Sequence, residues 1–167
     1  MKIKKLSETA TLPDKNHNAA GFDLYASKDV VIEPGKKAII PTDIAIELPE
    51  NTFAHILGRS GITAKTHLNV LTGTIDNDYR GALGIIVQNT LPPIYVNNRL
   101  VFDLEVKKLD NTFEKTEISQ PRNSYLIKKG DKVAQLVLYK SVDVELEVVE
   151  NLTSTSRNEK GFGSSGV

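Results

Sequence analysis

A chain of 167 residues can bury a core of its own without disulfide or metal staples, and it reads as one domain. Its 21 Lys and Arg balance 21 Asp and Glu, so it lacks the basic excess that a nucleic-acid coat or a membrane-surface binder needs. There is no cysteine, which excludes disulfides, thiolate chemistry and Cys-type zinc sites. The charged start Met1 to Leu6 is followed by no apolar run, so neither a signal peptide nor a membrane span is read there, and the expected setting is the cytoplasm.

In chain order, nearly every patterned stretch has period two. Lys37 to Ile46 and Thr52 to Leu57 read as strands, separated by the turn Leu48-Pro49-Glu50-Asn51 and preceded by the turn Glu33-Pro34-Gly35. A short helix is expected around Gly61 to His67, with Ser60 capping its start. Leu71 to Gly81 reads Leu-Thr-Gly-Thr-Ile-Asp-Asn-Asp-Tyr-Arg-Gly. Its Asp-Asn-Asp is turn chemistry, because these side chains bond their own backbone and tolerate left-handed conformations. A β-hairpin is expected, with Asp76 near its tip and Tyr79 beside it. Taken alone, this stretch also fits an ordinary acidic turn.

Leu83 to Val87 and Lys132 to Tyr139 are further strands, the latter entered from the turn Lys129-Gly130-Asp131. Val142, Val144, Leu146 and Val148 alternate with Asp143, Glu145 and Glu147 and predict a half-buried strand. Many short strands without long helices predict an all-β jelly roll, sandwich or barrel and exclude Rossmann and TIM architectures.

Two segments break the pattern. Residues 90–123 are too long for an ordinary connection. Within them Leu100 to Val106 and Phe113 to Ile118, joined at Asp110-Asn111, predict a hairpin of their own, flanked by Leu91-Pro92-Pro93 and Gln120-Pro121. The five basic and five acidic residues of 90–123 cancel, so the segment is no nucleic-acid arm. It fits a solvated excursion or a partner-binding insertion. The tail 153–167 is rich in Ser, Thr and Gly yet carries Arg157 and Phe162. It fits either a loose terminus or an arm that folds over a ligand.

Several motif matches fail. Gly161 to Gly166 fits G-x-G-x-x-G, but no helix follows it to meet a pyrophosphate. Asp76 to Val87 lacks the closing glutamate of a calcium loop, and Arg80 stands at a ligand position. His17, His55 and His67 have no metal-ligand spacing.

Five clusters remain: Ala20-Gly-Phe-Asp-Leu-Tyr-Ala26, Gly58-Arg-Ser-Gly61, Gly73 to Gly81, Gly130-Asp-Lys-Val-Ala-Gln-Leu136, and Arg157 to Gly166. In this order they resemble the five motifs of the trimeric dUTPases, which convert dUTP to dUMP and pyrophosphate, keeping uracil out of DNA and supplying dUMP for dTMP synthesis. The resemblance implies a jelly-roll subunit, residues 1–152, with a mobile arm, residues 153–167. It also implies a homotrimer with active sites at subunit interfaces.

By the same resemblance, Asp76 is the catalytic base that activates water for in-line attack on the α-phosphorus. Asp23 orders the water shell of Mg²⁺ without binding it directly. Arg59, Ser60 and Gly61 of the second motif bind phosphate, as does Gln135 of the fourth. Gly73, Ile75 and Tyr79 form the nucleoside site, Tyr79 packing under the deoxyribose and leaving no room for a 2′-hydroxyl. Arg157 reaches phosphate, Phe162 stacks on uracil, and Gly163, Ser164 and Ser165 complete the arm's contacts. Asp78 is read as structural. Asn158 and Lys160 depart from the glycines usual in this family. The insertion at 90–123 resembles an extra segment of some bacteriophage members, where it can contact other proteins. A dCTP deaminase-type trimer, or a regulatory binding protein acting through 90–123, are the alternatives.

Overall fold

A computed structural model of the chain describes residues 1–159, and almost all of their regular structure is β. In order it comprises β1 (Lys2–Lys5), β2 (Phe22–Tyr25), β3 (Val30–Ile32), β4 (Lys37–Pro41), β5 (Ile44–Glu47) and β6 (Thr52–Gly58). The helix α1 (Ser60–Lys65) follows, then β7 (Leu68–Val70), β8 (Gly73–Ile75), β9 (Gly84–Asn89), β10 (Tyr95–Val96) and β11 (Arg99–Leu100). The chain continues through β12 (Phe102–Lys108), β13 (Phe113–Pro121), β14 (Tyr125–Ile127) and β15 (Lys132–Lys140). The strands form two four-stranded sheets, β2-β15-β6-β8 and β13-β12-β14-β3, a three-stranded sheet β4-β9-β7, and the pairs β1-β5 and β10-β11. The all-β jelly-roll expectation holds. Leu24, Ile40, Ile56, Ile85, Val87, Ile127 and Leu136 fill the core between the sheets at 2% exposure or less. Each such side chain contributes about 1.5–3 kcal/mol relative to an exposed one.

The expected turns are present with the backbone their residues demand. Gly35 and Gly130 have φ of 73° and 87°, the left-handed third position of a type II turn that glycine fills without strain. The stretch Lys37 to Ile46 is two strands, not one. Asp43 breaks it with φ of 53° and is held there by Ser7, whose hydroxyl donates to its carboxylate at 2.7 Å. The break lets β4 pair with β9 while β5 pairs with β1.

The helix starts one residue earlier than expected. Arg59 is its N-cap with extended backbone, Ser60 is its first helical residue, and no side chain caps it. Buried Ile62 anchors it to the core. The stretch around Asp76 is not a ladder hairpin either. β8 pairs with β6 and β9 pairs with β4 and β7, so residues 76–83 carry the chain from one sheet to another.

Residues 90–123 hold the expected antiparallel hairpin, β12 with β13, although the return strand runs on to Pro121. It is more than an excursion. β12 also lies parallel to β14, and Val106 is buried, so the hairpin extends a core sheet. Its turn residue Asn111 donates from Nδ2 to the Lys65 carbonyl at the end of α1, at 2.7 Å. A second small hairpin, β10-β11, turns on Asn97-Asn98, both with positive φ, the two-residue turn that matches strand twist.

The strand expected at Val142 to Val148 is not formed. Residues 142–149 join no ladder, and Leu146 and Val148 are 94% and 100% exposed. Alternation states which face would be buried, but a strand also needs a neighbouring edge for its backbone, and this chain places none beside the segment.

Candidate active site

The first cluster forms on the outer face of the sheet β2-β15-β6-β8. Gln135 on β15 lies between Asp23 on β2 and Leu57 on β6. Lys132 and Gln135 are three apart and would face opposite ways on a regular strand. A register shift between Lys132 and Ala134 pairs Lys132 with Tyr25 and Gln135 with Asp23, which brings both side chains to one face. There Asp23 is held by two cations. Arg59 Nε lies 3.1 Å from Oδ1 and Lys132 Nζ lies 2.9 Å from Oδ2. Arg59 Nη1 also donates to the Lys132 carbonyl at 2.9 Å. Ser60 and Gly61 are exposed at the start of α1, directly beside Arg59.

The second cluster surrounds Asp76. A cavity of about 270 Å³ is lined by Ile56, Gly73 to Asp76, Tyr79, Leu83, Gly84 and Ile86. Asp76 is exposed at its edge. The loop is stiffened from both ends. The Tyr79 amide donates to the Asp76 carbonyl at 3.2 Å, and Asn77 Nδ2 donates to the carbonyls of Pro49 and Thr52 at 2.6 and 3.0 Å. The Tyr79 hydroxyl donates to the Ala82 carbonyl at 3.0 Å. Gly81 is required by that arrangement, because a Cβ there would run into the Tyr79 ring and hydroxyl.

The chain does not bring the two clusters together. Ile75 pairs with Ala54 and Gly58 pairs with Ala134, so Asp76 and Arg59 sit beyond opposite ends of β6. The span from Phe53 to Arg59 is roughly 20 Å along an extended strand. The cavity around Asp76 is lined by none of Asp23, Arg59, Ser60 or Gln135. Arg157 is exposed in the tail, beside Asn158, whose φ of 47° is the left-handed conformation that asparagine tolerates. Lys160, Phe162, Gly163, Ser164 and Ser165 lie outside the described residues.

The sequence reading assigned no role to Lys132, Asp14, Tyr25 or Asn77. Lys132 and Tyr25 stand inside quoted motifs, so motif membership was the available signal. Asp14 stands outside all five, and only the fold brings it to Lys132.

A jelly roll that carries a carboxylate beside a small apolar cavity, and an arginine on an ion-paired face, has the parts that a hydrolase of phosphorylated nucleosides requires. The dUTPase family model matches residues 7–100 and 118–166, and the chain belongs to this family. It is 39% identical over 169 residues to a Clostridium tetani deoxyuridine 5'-triphosphate nucleotidohydrolase, covering 99% of this chain and 96% of that protein. The solved Staphylococcus bacteriophage 80alpha dUTPase with dUpNHpp superposes with a TM-score of 0.89 at 38% identity, covering 99% and 98% of the two chains. The dUTPase from phage phi11 of S. aureus, solved to visualise a species-specific insert, superposes with a TM-score of 0.83 at 35% identity, covering 92% and 98%. A point mutant of that phi11 protein coordinates a structural Mg(II) ion. Residues 101–117, which the family model passes over, are most of the β12-β13 hairpin.

Proposed function

We propose that this enzyme hydrolyses dUTP to dUMP and pyrophosphate, with Asp76 as the general base for in-line attack of water on the α-phosphorus. The observation that carries this reading is the exposed Asp76 carboxylate beside the cavity framed by Ile75, Gly73 and Tyr79. The base would lie against the Gly73 to Ile75 backbone, where a main-chain amide donates to O4 of uracil but opposes the exocyclic amine of cytosine. Tyr79 would underlie the deoxyribose. Arg59, Ser60, Gly61 and Gln135 would take the phosphates, since a guanidinium fork suits phosphate oxygens.

The roughly 20 Å between the two clusters supports a homotrimer in which one copy's Asp76 loop meets another copy's Arg59 face. The exposed apolar side chains of residues 142–149 support the same reading, as does the stacked Phe53–Tyr139 pair on the outer sheet face. The arm, residues 153–167, would close over substrate with Arg157 on phosphate and Phe162 on uracil, leaving residues 1–152 as the body.

Mg²⁺ fits this donor set in one way. Among the described residues no three His, Asp or Glu side chains gather into a metal cage, and both Asp23 oxygens are taken by cations. A hydrated ion held mainly by phosphate oxygens would meet Asp23 through water, and when bound it neutralises phosphate charge. The reaction would serve the cytoplasmic nucleotide pool, withholding uracil from DNA and supplying dUMP for dTMP synthesis. No described helix is long and apolar enough to cross a membrane.

A second reading, additional to catalysis, is a protein partner on residues 90–123. Phe102, Phe113 and Ile118 are 53%, 60% and 74% exposed on the β12-β13 hairpin, most of which the family model passes over, and long ordered excursions of this kind carry function more often than core connections do.

The test is pyrophosphate release from dUTP, dCTP, dTTP and UTP with Mg²⁺, for the wild type and Asp76→Asn. Turnover of dUTP alone, lost in the variant, is expected. Ammonia release from dCTP would instead assign the chain to the deaminase branch.

A further inference from the structure

We propose that Lys132 is a positioning residue that aims Arg59 at the substrate phosphates, with Asp14 and Tyr25 holding its ammonium in place. The inference rests on the reading of Arg59 as a phosphate binder and assigns the device that orients it.

Arg59 has five N–H donors in a rigid planar fork. Two are engaged inside the protein: Nε is ion-paired to Asp23 Oδ1 at 3.1 Å, and one Nη1–H donates to the Lys132 carbonyl. These two contacts fix the plane and rotation of the guanidinium and leave three donors for a ligand. The first contact holds only while Asp23 presents one oxygen to Arg59. Asp23 does so because its other oxygen is occupied by Lys132 Nζ at 2.9 Å. A carboxylate with both oxygens free would chelate the guanidinium through two N–H groups. That would consume a donor and turn the fork toward the protein. Lys132 therefore acts on Arg59 twice, through its carbonyl and through Asp23.

The ammonium is itself fixed. Asp14 accepts from Nζ with both carboxylate oxygens at 3.2 Å. The Tyr25 ring lies 5.3 Å from Nζ, and the Tyr25 hydroxyl donates to Asp14 Oδ1 at 2.6 Å. The groups thus alternate in charge, Arg59, Asp23, Lys132, Asp14, and end on a neutral phenol. Two cations balance two carboxylates, so the cluster can be assembled before a polyanion arrives. The strand irregularity at Val133 puts Lys132 on this face; on a regular strand it would point away.

A plain structural staple would show the same contacts, so the test must read phosphate recognition separately from folding. The variants are Lys132→Met, Lys132→Arg and Asp14→Asn. The readouts are kcat and KM for dUTP, the Kd of inorganic tripolyphosphate with Mg²⁺, and the melting temperature. In Lys132→Met, KM and the tripolyphosphate Kd are expected to rise about tenfold, with kcat changed less than threefold, as for loss of one partly buried charge-assisted contact. Lys132→Arg, which keeps the cation, is expected to stay within about threefold of wild type, and Asp14→Asn to weaken both constants about two- to threefold.

Should Lys132→Met lower the melting temperature while KM and Kd stay within twofold, the residue is a staple and the proposal is overturned. Failure of wild type to bind tripolyphosphate also overturns it. Should wild type bind tripolyphosphate, and Lys132→Met weaken that binding, while no dUTP is turned over, the positioning role stands and the proposed reaction falls.

Discussion

The two ends of β6 hold their chemistry by different means. At one end, the Asp76 loop is shaped by side-chain hydrogen bonds to main-chain carbonyls, from Asn77 to Pro49 and Thr52, from Tyr79 to Ala82 and from the Arg80 guanidinium to Asn77 and Tyr79, around an apolar cavity. At the other end, Arg59, Asp23, Lys132 and Asp14 are held by ion pairs on a partly exposed sheet face. Hydrogen bonds to main-chain carbonyls define shape and respond little to salt. Ion pairs orient charge and respond to it. The difference suits a ligand with a small, neutral, shape-selected base at one end and a polyanion at the other.

The largest expected effect breaks the comparison at its reactive end. Asp76→Asn should lower kcat by about 10²- to 10⁴-fold with little change in KM, as read by pyrophosphate release. Next, Gly81→Ala should damage the nucleoside end alone. The added methyl displaces Tyr79 from the cavity wall. KM for dUTP is expected to rise roughly 10- to 100-fold while the tripolyphosphate Kd stays unchanged, a contrast isothermal titration would show.

Ionic strength should act on the other end. Raising salt from about 0.05 to 0.5 M should raise KM several-fold in wild type, and kcat much less, if the ion-paired Arg59 face takes the phosphates as proposed. An equal response in kcat would merge the two ends.

The smallest effect concerns pH. Asp14 lies below the ordinary carboxylate range, mainly through the Tyr25 hydroxyl and then Lys132, whereas Lys132 lies above the ordinary lysine range, first through Asp23. A depressed carboxylate stabilises the fold above its unfolded pKa of about 3.9, and that contribution is lost as pH falls through the lower folded value. A raised lysine stabilises fully below about 10.4, and the contribution is lost as pH rises through the higher folded value. Between about pH 5 and 9 the Asp14–Lys132 pair should therefore stay charged. The melting-temperature difference between wild type and Asp14→Asn should be flat across that window, and a slope would show that the Asp14–Lys132 pair titrates where its partners hold it charged.

Much of this protein is legible before folding. Gly35, Gly130 and Asn111 mark turns by backbone conformations that few other residues adopt. Alternation predicts β6, β9, β12 and β15, because a sheet with one buried face imposes period two. The five motifs name Asp23, Arg59, Asp76 and Gln135, since chemistry restricts residue type locally. Tertiary structure decided what depends on neighbours distant in sequence. It split Lys37 to Ile46 across two sheets and joined β12 to β14. It left Val142 to Val148 exposed despite ideal alternation, because a strand needs an edge as well as a pattern. It brought Asp14 to Lys132 across 118 positions of chain and set Asp76 and Arg59 at opposite ends of one strand. Side-chain type and period are properties of the chain, whereas pairing partners and distances exist only once the sheets have closed around the core.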